Sequence, residues 1–126
     1  NNNLNLLEEM HVAALLHKGI YLDPTVVTAS DALRMATVNG AYALGLKDTG
    51  VLKPGCKADL ILMDFDQAHL TPRWDTLSHI AYSASSADIK TMIVDGQLIM
   101  KDRQILTLDE EETYFEVNKR CERYRA

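Results

Sequence analysis

Cysteine is scarce in this chain of 126 residues: Cys56 and Cys121 are the two present, they lie far apart, and neither belongs to a C-x-x-C pair. A disulfide framework and a zinc knuckle both need closely spaced thiols, so both are excluded and a reducing cytoplasm is the expected setting. Long apolar runs are missing too. The longest covers residues 12–16, far short of the roughly 20 residues that cross a bilayer as a helix, so no membrane-spanning helix is expected. Glycine and proline are sparse, six and three, which rules out collagen-like and low-complexity chains. Positive charge is in the minority: 13 Lys and Arg against 18 Asp and Glu give a formal net charge of −5. Nucleic acid and anionic membranes select basic surfaces, and neither is an expected partner. What remains, 47% hydrophobic and 25% charged residues, is the composition of one globular domain able to bury roughly two-thirds of its unfolded surface.

An initiating methionine is also missing. The opening Asn1-Asn2-Asn3-Leu4-Asn5 reads as the end of a loop running into a helix, and the sequence is expected to begin inside a longer polypeptide. Asn5 and Glu8 stand at capping-box spacing, and Leu6, Leu7, Met10, Ala13, Ala14 and Leu16 then predict a helix that stops at Lys18-Gly19. Its apolar positions cover more than half the circumference, so several neighbours are expected to pack on it. Thr28 and Asp31 repeat the capping spacing ahead of Ala32, Leu33, Met35 and Ala36, a short helix predicted to break at Asn39-Gly40, with one more turn closing at Gly45.

After Gly50 the pattern changes to strands. Val51-Leu52, a Pro54-Gly55 turn, and residues 58–64 predict one strand entering another; Leu60, Ile61, Leu62 and Met63 are apolar on both faces, which predicts a place inside a sheet. Residues 74–84 predict a helix. Asp88 opens a strand through Met92, Ile93 and Val94, Asp95-Gly96 signals a hairpin to Leu98, Ile99 and Met100, and Ile105-Leu106 add a short strand. A last helix is capped by Asp109, with Glu110, Glu111 and Glu112 in its first turn and Lys119, Arg120, Arg123 and Arg125 towards its end, complementing the helix dipole. Tyr114, Val117, Cys121 and Tyr124 form its apolar stripe.

Catalytic constellations are absent from the pattern. His11, His17, His69 and His79 form no H-x-H or H-E-x-x-H, and His11 and His17, six apart on one helix, face different ways. Structural roles are expected for all four, the alternative being that His69 or His79 reaches into an active site. Glu8, Glu9 and the Glu110-Glu111-Glu112 run are explained by helix dipoles, the two thiols lack a paired base, and Gly45, Gly50 and Gly55 belong to turns, not to a phosphate loop. No catalytic residue and no metal ligand is assigned in this chain. Asp59 stands out, because a carboxylate opening an apolar strand must be hydrogen-bonded. Its expected role is structural, anchoring the adjoining Pro54-Gly55 turn through that turn's N–H groups.

Ala32-Leu33-Arg34-Met35-Ala36-Thr37, Asn39-Gly40-Ala41, Gly45, Gly50-Val51-Leu52-Lys53-Pro54-Gly55 with Ala58-Asp59-Leu60, and Ile93-Val94-Asp95-Gly96 together resemble the C-terminal third of the metal-dependent amidohydrolase superfamily. The likeness covers nearly the whole chain. Asn2-Asn3-Leu4-Asn5-Leu6, Glu8-Glu9-Met10, Ala13-Ala14-Leu15-Leu16, Ser78-His79-Ile80 and Tyr82-Ser83-Ala84 narrow it to the branch of 5-methylthioadenosine/S-adenosylhomocysteine deaminases and the related triazine chlorohydrolases, with the deaminases nearer. The resemblance implies an α/β fold, a (β/α)₈ barrel flanked by a β-sandwich built from both chain ends. Taken alone, this chain would be α+β. Residues 1–50 would be the last barrel helices, residues 51–108 sandwich strands with an intervening helix, and residues 109–126 the C-terminal helix.

The resemblance further implies a divalent metal, zinc or iron, held by histidines and an aspartate upstream of Asn1, so that this chain ligates none. Asn1, Asn2 and Asn3 would then lie in the loop leaving the eighth strand, beside the substrate. The implied reaction is hydrolytic deamination of an adenine-type nucleoside; the alternatives are a chlorohydrolase or other amidohydrolase, or a non-catalytic sandwich module that binds a partner. The remainder of the same enzyme, a purine nucleoside and further copies of the chain are the implied partners.

Overall fold

The structure, a computed structural model, describes residues 3–124. Helix α1 (Leu6–Tyr21) begins where the sequence places it, but the Asn5 side chain does not cap it. Asn3 acts from two residues outside: its Oδ1 accepts the Asn5 N–H at 2.9 Å and its Nδ2 donates to Glu8. Nor does Gly19 end the helix. The reversal falls at Leu22, in the left-handed region at φ 51, whose N–H returns to the Lys18 carbonyl. Lys18 also fixes the loop after that reversal, its ammonium donating to the carbonyls of Val26 and Val27 at 2.7 and 2.6 Å. That grip holds Val27, a β-branched residue, at φ 47.

Helix α2 (Ala29–Arg34) carries the predicted capping box, with Thr28 Oγ1 accepting the Asp31 N–H at 3.2 Å and the Asp31 carboxylate accepting the Thr28 N–H at 3.0 Å. The predicted break at Asn39-Gly40 does not occur. The chain runs on through a π-helical turn, Met35–Asn39, into α3 (Gly40–Ala43), and Gly40 is helical at φ −61. Space, not flexibility, favours this glycine, since a Cβ there would stand 3.1 Å from the Met35 carbonyl oxygen, a tight approach. Gly50 lies against the same rod at φ +82, where a Cβ would meet Thr37 O and Ala41 Cβ at 3.0 Å. Gly50→Ala is therefore expected to destabilise the fold by about 2–4 kcal/mol, from left-handed strain plus overpacking. Chemical denaturation reads the change, and an unshifted midpoint would mean that the loop lifts away freely.

Val51 and Leu52 do not form the predicted strand. Gly45, Gly50 and Gly55 all take positive φ in this stretch and keep turning the chain, leaving no extended run to pair. The sheet has four antiparallel strands in the order β1 (Leu60–Met63), β2 (Ile89–Val94), β3 (Gln97–Lys101) and β4 (Gln104–Ile105). Leu60 faces Ile93, Val94 faces Gln97, and Lys101 faces Gln104. Asp95 and Gly96, both at positive φ, make the predicted hairpin. Asp102 and Arg103 repeat the left-handed pair without a glycine, at φ 48 and 66. Arg103 is held there by its guanidinium, whose Nη1 donates to the Ser86 and Ala87 carbonyls at 2.9 and 3.1 Å. Strand β1 sits at the sheet's edge, not inside it: Ile61 and Leu62 are exposed, because among the described residues β2 is the one strand that pairs with it.

Between β1 and β2, residues 64–88 leave the sheet, forming the 3₁₀ turn Ala68–Leu70, helix α4 (Thr76–Tyr82) and the 3₁₀ turn Ser86–Asp88. Helix α4 starts later than predicted because Asp75 caps it, accepting the Ser78 N–H at 3.0 Å. It packs on α1 and α2. The core lies there: Leu7, Met10, Ala14 and Ala32 are buried, with Ile80 and Tyr82 of α4 and Met63 and Ile89 of the sheet packed against them. Helix α5 (Glu110–Glu122) is capped by Asp109, which accepts the Glu112 N–H at 2.9 Å, and buries none of its residues. The fold is thus α+β, helices plus a small antiparallel sheet. Among the described residues no helix is long and apolar enough to cross a membrane.

Candidate functional site

Asn3, expected in the substrate-side loop, stands at the amino end of α1 with both side-chain groups engaged, one by Asn5 and one by Glu8. Asn1 and Asn2, expected beside it, lie outside the described residues. The position is open to solvent and fixed at the mouth of a helix, where Glu8 and Glu9 complement the dipole.

Asp59 has a different partner from the one expected. Its Oδ1 accepts the Asp95 N–H at 2.6 Å, while the Pro54-Gly55 turn is closed by its own bond from the Cys56 N–H to the Lys53 carbonyl at 3.1 Å. Register explains this, since pairing Leu60 with Ile93 places Asp59 opposite the hairpin tip. Ala58 adds a carbonyl for the Gly96 N–H at 3.1 Å, and the Lys57 ammonium lies 3.4 Å from the Asp95 carboxylate. Three consecutive residues therefore hold one turn. The bond is open to solvent, so water can replace the lost acceptor, and Asp59→Ala is expected to cost only about 0.5–1.5 kcal/mol. Urea denaturation tests it; lost activity at an unchanged midpoint would assign Asp59 to the chemistry instead.

The four histidines go to four separate places. His11 meets Tyr82 edge-on, His17 stacks on Tyr21, and His79 Nε2 lies 3.1 Å from the Pro72 carbonyl oxygen. His69 Nε2 lies 2.9 Å from Asp88 Oδ2, a pairing across 19 residues that no short motif announces. Asp88 is 3% exposed and also accepts the Ser85 N–H at 2.8 Å and the Ser85 hydroxyl at 3.2 Å. Burial pushes its carboxyl up, but the bonds from Ser85 and His69 outweigh that and hold it below the ordinary value of 3.8. A folded value lowered in this way contributes stability above the ordinary carboxylate range, and that contribution is lost as pH falls through the folded value. Acid titration of unfolding is accordingly expected to steepen below about pH 4 and to flatten there in Asp88→Asn; identical acid limbs would remove Asp88 from the account.

Among the described residues, no group of three or more His, Cys, Asp or Glu is placed to hold a metal ion. These side chains do not fit a metal centre, and no chemical step passes through one here.

The model of the amidohydrolase family matches residues 1–99, and the chain belongs to that family. Over 121 residues it is 54% identical to a 5-methylthioadenosine/S-adenosylhomocysteine deaminase of Pelotomaculum thermopropionicum, covering 96% of this chain and 28% of that protein. Among solved structures it is similar to an adenosine deaminase from Xanthomonas campestris with bound zinc, at TM-score 0.95 and 29% identity, over 99% of this chain and 29% of the other. An atrazine chlorohydrolase from Arthrobacter aurescens complexed with zinc is similar at TM-score 0.82 and 25% identity, over 90% of this chain and 25% of the other. The chain thus spans little more than a quarter of the length of these relatives.

Proposed function

We propose that this chain is the C-terminal part of a hydrolytic deaminase that converts the adenine ring of 5-methylthioadenosine or S-adenosylhomocysteine to the inosine analogue. Water supplies the oxygen of the new carbonyl, and the ring amino group leaves as ammonia. The observation that carries this reading is the 54% identity to a deaminase of that name across 96% of the chain. Residues 1–50 then complete the barrel, residues 51–108 supply strands of the flanking sandwich, and residues 109–126 form the C-terminal helix. A divalent metal, zinc or iron, is held by ligands in the rest of the polypeptide, as the zinc in two similar structures suggests. This chain's own part is to position. The segment of Asn1, Asn2 and Asn3 borders the substrate, and Asp59 anchors the hairpin turn. The polypeptide works in the cytoplasm and assembles with copies of itself.

The likeness to the atrazine chlorohydrolase favours one second reading, displacement of chloride from a triazine. The complete polypeptide, given methylthioadenosine, adenosylhomocysteine, adenosine and atrazine in parallel, separates the two. Ammonia from the nucleosides supports deamination. Chloride from atrazine, with no ammonia, would replace it, and silence on every substrate together with no H-x-H in the complete reading frame would favour a partner-binding module.

A further inference from the structure

Helix α5 buries none of its 13 residues, although so short a helix is marginal in water without tertiary cover. Tyr114, Val117, Cys121 and Tyr124 make one stripe along it, spaced three, four and three, and all four are exposed. That spacing is the seam by which two helices pack side by side. The Tyr114 hydroxyl donates to Glu110 Oε1 at 3.1 Å within the same helix, which leaves the ring to the stripe. The spacing also reads the same in both directions. Reversed, Tyr114 meets Tyr124 and Val117 meets Cys121, so a copy of α5 laid antiparallel covers the whole stripe with its own. Charge agrees with this orientation. Glu110, Glu111 and Glu112 crowd the first turn, Lys119 and Arg120 the last, and Arg123 follows. Glu116 lies 3.5 Å from Lys119 and 3.9 Å from Arg120, but among the described residues no ion pair engages the three leading glutamates or Arg123. An antiparallel copy turns its acidic end towards the basic end and opposes the helix dipoles, whereas a parallel copy sets like charge beside like.

We propose that α5 is a self-association element: a second copy of this chain docks its own α5, antiparallel, on the stripe from Tyr114 to Tyr124. The same four residues serve both sides, as a contact across a two-fold axis requires. The seam is short, about 15 Å at the helical rise per residue, so it selects the orientation of the other copy more than it supplies tight affinity. The inference rests on the self-assembly proposed above, for which it names the surface, and not on the reaction that the complete polypeptide catalyses.

Disulfide trapping on the complete polypeptide tests it, with light scattering on the unoxidised wild type beside it. Val117→Cys places a thiol opposite Cys121 of the other copy, and mild oxidation is expected to give a product of double mass whose linked peptides join residues 117 and 121. Adding Cys121→Ser should abolish that product, because in the antiparallel register residue 117 does not face itself. Val117→Asp should raise the dissociation constant of the assembly on the order of a hundredfold, since apolar burial is forfeited on both copies. A link joining 117 to 117, no product of double mass from an oligomeric protein, or an unaltered dissociation constant in Val117→Asp would each overturn the α5 contact and leave self-assembly standing. A monomeric wild type would overturn both and leave α5 to be covered by the rest of its own polypeptide. Should Val117→Asp fail to fold, the milder Val117→Cys decides alone.

Discussion

Purified alone, the 126-residue chain is expected to form dimers, larger oligomers or aggregates instead of persisting as a monomer. The reason lies in what it leaves uncovered. Leu16, Ile20 and Tyr21 on α1, Tyr42 and Leu44 after the π-turn, Trp74 before α4, and Ile61 and Leu62 on β1 are all exposed. Each large apolar side chain left in water forgoes roughly 1.5–3 kcal/mol of burial. Several such losses equal the whole stability of a typical domain, about 5–15 kcal/mol. Strand β1 adds an open edge carrying apolar side chains, the arrangement most prone to pair with another chain. Light scattering across a dilution series is the measurement. A monomer that unfolds cooperatively at low micromolar concentration would show a self-sufficient domain and return the partner-binding module to the front.

The second large effect is on turnover. If the proposed function holds, the complete polypeptide releases ammonia from methylthioadenosine and this chain alone releases none. Enzymes of ordinary power accelerate their reactions by about a millionfold or more, so removing the catalytic apparatus takes activity to the uncatalysed background. No described residue offers a substitute, since the four histidines occupy four unrelated environments and no group of ligands gathers. Metal analysis after chelation runs beside the assay. One retained equivalent of zinc or iron, or ammonia above a buffer blank, would mean that the chemistry resides in these residues after all.

Local features were readable from the sequence where both partners are close in the chain. Thr28 with Asp31, Asp109 ahead of three glutamates, and Asp95-Gly96 all act over a few residues, and each forms as predicted. The misreadings arise where residue type does not announce the deciding contact, whether that contact is near or far in the chain. Gly40 reads as a break but serves as clearance for a carbonyl, and Gly19 reads as a stop but the turn falls at Leu22, ahead of a loop fixed by Lys18. The Asp102-Arg103 turn has no glycine to announce it, because its conformation is held by carbonyls in the turn before β2. Asp59 was visible as a carboxylate in need of donors, yet its donor belongs to a turn that only sheet register brings near. The family likeness was legible in the order of short segments between Ala32 and Gly96.

The long excursion between β1 and β2 also dictates an order of assembly. Strands β2, β3 and β4 are joined by two-residue turns and form a meander whose contacts are all local. Strand β1 can join only after residues 64–88 have been gathered into a closed loop, an entropic penalty about 2 kcal/mol above that of a tight turn. Contacts between residues near in sequence form early and those across long loops form late. The meander should therefore nucleate the sheet, with β1 docking last, as α4 settles on α1 and α2. On unfolding the sequence reverses, and the strand with the open edge is the first to leave.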